Sequence, residues 1–128
     1  MEYGKAIYSM LYTGSLLYTT GGRIYPDVAA QEAGYPYVTY SISNTEPNRT
    51  KTGTSQLDIV RVEISGYAKT YSALADVADQ VRTNMDNVTG TYVGLNVVGC
   101  SFDQEGSEYT GVPEVYAFTQ YYTMLFKY

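Results

Sequence analysis

The 128 residues include 45% hydrophobic and 16% charged side chains, the make-up of one compact globular domain and not of a disordered chain. Eight Lys and Arg against 13 Asp and Glu leave a net charge of −5, which argues against a surface that grips nucleic-acid phosphates. The lack of any histidine removes Ser-His and Cys-His nucleophiles, the histidine general base and histidine-bearing zinc sites together.

In chain order, Tyr3, Ala6, Ile7, Met10 and Leu11 fall at helical spacing, so residues 3–12 are predicted to form a short amphipathic helix. Thr13-Gly14-Ser15 ends it, Leu16 and Leu17 pack a following turn, and Thr19-Thr20-Gly21-Gly22 breaks the chain. Ile24-Tyr25 is extended ahead of Pro26. Residues 37–43 alternate as a strand, with Val38, Tyr40 and Ile42 on one face. Residues 44–55 are polar throughout and read as a structureless loop, of a length that is usually functional or disordered. Residues 57–67 form a long strand whose Val60, Val62 and Ile64 oppose Arg61, Glu63 and Ser65, so one face is covered and the other wet.

The clearest helix spans residues 70–86, with Thr70 or Ser72 as cap and Tyr71, Leu74, Val77, Ala78, Val81 and Met85 as its buried stripe. A strand over 92–102, an acidic turn over 103–113 and a last strand over 115–128 complete the chain. The element order implies an α+β fold: a single two-layer domain over residues 1–128, with a four- to five-stranded, mostly antiparallel sheet and two helices packed on one face.

The candidate chemistry is thin. Asp76 and Asp79 share a helix face, but it is the solvent side of the apolar stripe, so they read as a solvated pair. Asp103, Glu105 and Glu108 surround Gly106, yet the glycine position and the missing closing glutamate exclude a calcium loop. Thr20-Gly21-Gly22-Arg23 lacks the Gly-Lys-Ser/Thr of a phosphate loop. Cys100, the single cysteine, lies in an apolar strand and reads as a small core residue. Met1-Glu2-Tyr3-Gly4 opens no leader, and no run is apolar enough to span a membrane, so neither targeting nor membrane contact is expected. No catalytic, cofactor or metal residue is assigned, and no enzymatic function is expected. The outlier is tyrosine, 16 residues against 3 Phe. A tyrosine serves equally as a β-former and as an interface residue that is wet before assembly and dry after it.

Three stretches resemble the tail completion proteins of long-tailed phages, also called tail terminators or tail-to-head joining proteins. The first is Gly22-Arg23-Ile24-Tyr25-Pro26-Asp27-Val28-Ala29-Ala30-Gln31, followed by Tyr35-Pro36-Tyr37-Val38-Thr39-Tyr40. The second runs from Val60-Arg61-Val62-Glu63-Ile64-Ser65-Gly66-Tyr67-Ala68-Lys69-Thr70-Tyr71 into Ala75-Asp76-Val77-Ala78-Asp79-Gln80-Val81-Arg82. The third is the aromatic terminal strand, residues 116–128. One departure is the polar Asn84-Met85-Asp86, where members of the family are more apolar.

The resemblance implies a structural virion protein, assembled in the host cytoplasm and placed at the head-proximal end of the tail, in the neck. It would be a homo-oligomeric ring of six subunits that caps the tail tube protein, meets the head–tail connector (stopper) protein and lets DNA pass through without specific binding. A cofactor is not implied. The polar segment is the expected subunit or tail-tube interface, through Asn44, Glu46, Asn48, Arg49, Lys51, Thr52 and Ser55, ordered on assembly with the basic pair meeting acidic surface. The alternatives are another ring-forming virion part, such as a connector or a tube subunit, or a small non-viral binding domain.

Overall fold

The computed structural model describes residues 3–27, 34–50, 53–111 and 114–127, with 47–50, 53–56, 108–111 and 114 described through their backbone. Three helices, α1 (Tyr3–Leu11), α2 (Gly14–Thr20) and α3 (Tyr71–Met85), accompany six strands. These are β1 (Ile24–Pro26), β2 (Tyr37–Thr50), β3 (Gly53–Ala68), β4 (Gly90–Tyr92), β5 (Leu95–Gly111) and β6 (Glu114–Lys127). They form one mixed sheet in the order β1-β2-β3-β6-β5-β4, parallel between β1 and β2 and antiparallel elsewhere.

The α+β class stands, and four corrections apply to its details. The sheet has six strands because two three-residue edge strands, β1 and β4, join it, and β1 makes it mixed. Leu16 and Leu17 lie in a helix, α2, in which Thr20 Oγ1 donates to the Leu16 carbonyl at 2.8 Å and Gly21 closes the last turn at φ 62°.

The third and largest correction is that residues 44–55 are not a structureless loop. Asn44 pairs with Arg61, Thr45 with Val60, Glu46 with Ile59, Pro47 with Asp58 and Arg49 with Thr54, so the segment is the far half of a long β2–β3 hairpin. Polar residues on both faces erase the period-two signal, and pairing propagates outward from the well-patterned inner halves of the two strands. Lys51 and Thr52 lie outside the described residues, as do Val28, Ala29, Ala30 and Gln31 of the first resembling stretch. Lastly, the acidic segment from Asp103 is no turn either: it continues β5 to Gly111, paired along β6 from Tyr121 to Glu114.

One face of the sheet is the core face. Val60, Val62 and Ile64 of β3 and Phe118, Gln120, Tyr122, Met124 and Phe126 of β6 alternate onto it, and Val38, Val97 and Cys100 join from the flanking strands. The helices cover this face with Ile7, Met10 and Leu11 of α1, Leu16 of α2, and Leu74, Val77, Val81 and Met85 of α3. Burying each of these large side chains contributes roughly 1.5–3 kcal/mol. The sheet curls enough for α1 to touch β1 and β2 at one edge and β4 at the other.

Thr70 caps α3, accepting from the Ala73 amide at 3.2 Å. Asn84 and Asp86, the polar departure from the family pattern, have structural work. Asn84 Nδ2 donates to the Leu11 and Thr13 carbonyls at 3.3 and 3.2 Å, closing the α1–α2 junction. Asp86 Oδ1 accepts from the Phe102 amide at 3.2 Å.

Candidate assembly surface

The helix-free face of the sheet is built by the other half of each strand's alternation. On β3 it carries Ile59, Arg61, Glu63, Ser65 and Tyr67; on β6, Thr119, Tyr121, Thr123, Leu125 and Lys127. Register places Tyr37, Thr39, Ser41, Asn44 and Glu46 of β2 on the same side. Short hydroxyl side chains meet across strands: Ser65 Oγ lies 3.4 Å from Thr119 Oγ1, and Thr123 Oγ1 donates to Asp103 Oδ2.

At the β1 side of this face four tyrosines gather. Tyr37 stacks on Tyr67 with ring centres 4.8 Å apart, and Tyr35 and Tyr25 lie 5.3 and 6.2 Å from Tyr37. The Lys69 ammonium sits 4.8 Å over the Tyr35 ring, a cation–π contact. Burial first, and then the neighbouring phenols, push the Tyr37 hydroxyl above its ordinary value. Arg23 supports it from behind, its Nε donating to the Pro36 carbonyl at 3.1 Å and Nη2 to that of Tyr35 at 3.3 Å.

Of the expected interface residues, Asn44 and Glu46 stand on the helix-free face. Glu46 is engaged within the subunit, in an exposed ion pair with Arg61 at 3.2 Å. Asn48, Arg49 and Ser55 lie on the two strands of the hairpin arm, so backbone pairing brings these residues together at one end of the molecule. The arm runs past the end of β6, because Leu57 pairs with Lys127 and β3 begins only at Gly53. Asp76 and Asp79 are exposed on α3, as a solvated pair should be.

On the helix side, Lys5, Tyr8, Ser9, Tyr12, Tyr40 and Val93 line an open groove of about 500 Å³. Tyr8 stacks on Tyr12 at 5.1 Å, and Tyr18 of α2 is 90% exposed. Among the described residues no group of three or more Cys, Asp or Glu side chains is placed to hold a metal, and no helix is long and apolar enough to cross a membrane. What this surface offers is polar hydroxyl and aromatic area together with strand edges, the material of protein–protein contact.

The sequence reading missed the helix-free tyrosine cluster and the strand character of both hairpin ends. The Tyr35-Pro36-Tyr37 spacing was the available signal for the first.

Comparison with known proteins follows the same direction. A family model described as "Tail completion protein gp17" matches residues 5–126. No curated protein matches the chain. A chain in a solved structure titled "Virion of native gene transfer agent (GTA) particle" shares its fold with a TM-score of 0.78 at 15% identity, over 96% of this chain and 92% of that one.

Proposed function

This chain belongs to the tail completion protein family, and from that membership we propose that it caps the head-proximal end of a virion tail as a closed ring of identical subunits. Its place is the virion tail and its role is structural. In this reading the ring meets the tail tube on one side and the head–tail connector on the other, and DNA passes through the centre. The match over residues 5–126 carries the reading, since it takes in every helix and strand of the fold almost entirely.

Three features support it. The net charge of −5 lets a duplex slide where a basic lining would hold it. The helix-free face presents hydroxyls, phenols and locally balanced charge, which suits contacts made in water. The hairpin arm, with Asn44, Glu46, Asn48, Arg49, Lys51, Thr52 and Ser55, is the proposed contact to a neighbouring subunit or to the tube. No catalytic step is assigned to any residue.

Electron microscopy of the purified protein tests this reading. Closed rings of uniform size, and overlong or unjoined tails when the protein is withheld from assembly, are the expected results. Long filaments would make it a tube subunit instead, and a permanent monomer with normal tails in its absence would overturn the reading.

A further inference from the structure

The sheet ends in two stepped edges. On the β2 side, β1 covers only Val38–Tyr40 through pairing with Ile24–Pro26, and the Asp27 amide bonds the Tyr40 carbonyl at 2.7 Å. From Ser41 to Thr50, ten residues, β2 has no strand beyond it among the described residues. On the β5 side, β4 covers only Leu95–Val97. The segment after α3 then occupies the edge as far as Phe102, with the Asn87 amide donating to the Cys100 carbonyl at 2.8 Å and Asp86 accepting from the Phe102 amide. From Asp103 to Gly111, nine residues, β5 is likewise unpaired on that side among the described residues. Long unpaired strand edges recruit other strands unless something blocks them.

We propose that these two edges pair with each other between neighbouring copies, β2 of one subunit antiparallel to β5 of the next, so that the sheet continues from subunit to subunit around the ring. The inference rests on the ring reading above and deepens it by naming the contact. Direction permits it: β2 and β6 run one way and β3 and β5 the other, so a neighbour's β5 laid beside β2 is antiparallel.

Length permits it as well. The ten open residues of β2 face nine open residues of β5, so a ladder of comparable length fits between the end of β1 and the point where β5 becomes occupied.

Charge separates this pairing from its competitor. The open β5 stretch holds Asp103, Glu105 and Glu108 and no Lys or Arg, so two β5 edges together would oppose like charges. The β2 edge brings Arg49, with Lys51 two residues further along the sequence. A head-to-tail contact uses each edge once, repeats identically and leaves no edge open when the rotation closes.

Two measurements test it on the full chain. In amide hydrogen exchange of the unmodified protein, residues 41–50 and 103–111 should gain about tenfold or more protection when the dilute subunit is concentrated into rings. In the second, Thr45→Cys is combined in turn with Glu105→Cys, Ser107→Cys and Tyr109→Cys, positions that share the core side of the sheet. Mild oxidation should then give a ladder of covalent oligomers in at least one combination and none in the single variants. Covalent dimers from Thr45→Cys alone would mean that β2 pairs with itself and would overturn the proposal. Full protection already in the dilute subunit would overturn it too, because the chain would then be covering its own edge. Rings in the microscope with neither cross-link nor added protection would reject the edge contact while leaving the ring reading intact. Absence of rings at every concentration would remove both.

Discussion

At the residue scale, two positions carry the sharpest expectations. Gly66 faces Phe118 across the β3–β6 pair, and a Cβ placed there would overlap the ring. Gly66→Ala should therefore cost about 1–3 kcal/mol through overpacking, seen as a lowered melting temperature that Phe118→Leu partly restores. An unchanged melting temperature would mean that Phe118 has room to rotate away. Cys100, 5% exposed on the core face, has its thiol pushed up to about 12, first by burial and then by the Asp86 and Asp103 carboxylates. Burial likewise pushes the Tyr122 hydroxyl well above its ordinary value.

Both shifts raise the folded-state value, so their stabilisation is complete below the unfolded pKa and is lost as pH rises toward the folded one. For Cys100 that window runs from its ordinary 9.0 to about 12. The thiol alone should remove roughly 2 kcal/mol between pH 9 and about pH 10.5. Denaturant titrations across this range, with and without Cys100→Ala, measure that share. In the native protein at about pH 8 the thiol should resist alkylation and react only after unfolding.

At the element scale, polar side chains hold junctions that packing leaves open. Removing the α3 cap with Thr70→Ala should cost about 1 kcal/mol. Asn84→Leu would strand the Leu11 and Thr13 carbonyls and should cost roughly 1–3 kcal/mol. Both are read by thermal melts, and an Asn84→Leu protein as stable as the parent would show water replacing the amide. Gln120 does similar work: 1% exposed, it donates to the Ala78 carbonyl of α3 at 3.1 Å and accepts from the Tyr122 hydroxyl at 2.6 Å.

The hairpin arm behaves in the opposite way. Among the described side chains no core residue falls between Tyr40 and Val60, so replacing residues 44–55 by a tight Gly-containing turn should leave the melting temperature nearly unchanged. It should at the same time abolish ring closure or tail joining. A shortened protein that assembles normally would make the arm a bystander.

On the scale of the whole molecule, copies that each carry −5 repel one another, and salt screens that repulsion. If backbone pairing between edges holds the ring, sedimentation should show assembly strengthening as salt rises from low ionic strength toward about 0.15 M. Rings that fall apart over this range would mean that ion pairs hold them instead. Paired substitution of Asp76 and Asp79 by Asn should leave assembly unaltered, since both carboxylates are exposed on α3 and neither is assigned a partner in the edge contact.

Much of this architecture was legible in one dimension, wherever burial imposes a period. The stripe from Tyr3 to Leu11, the alternation Val60-Val62-Ile64 and the stripe from Leu74 to Met85 each mark a face pressed on the core, and the structure has α1, β3 and α3 there. The Thr70 cap was legible for the same local reason, a hydroxyl one residue before the helix. The outer halves of β2 and β5 were not. Their order comes from a partner strand far along the chain, Asn44 on Arg61 and Glu105 on Gln120, and polar residues wet on both faces carry no trace of that pairing. The free edges are also a tertiary result, because only the strand order puts β2 and β5 at opposite ends of the same sheet with β1 and β4 too short to cover them. Composition and periodicity thus determined the class, the core and the absence of a histidine-based site. The two surfaces through which copies can meet were decided by long-range backbone pairing, which depends on hydrogen bonds common to every residue and so leaves little mark on side-chain identity.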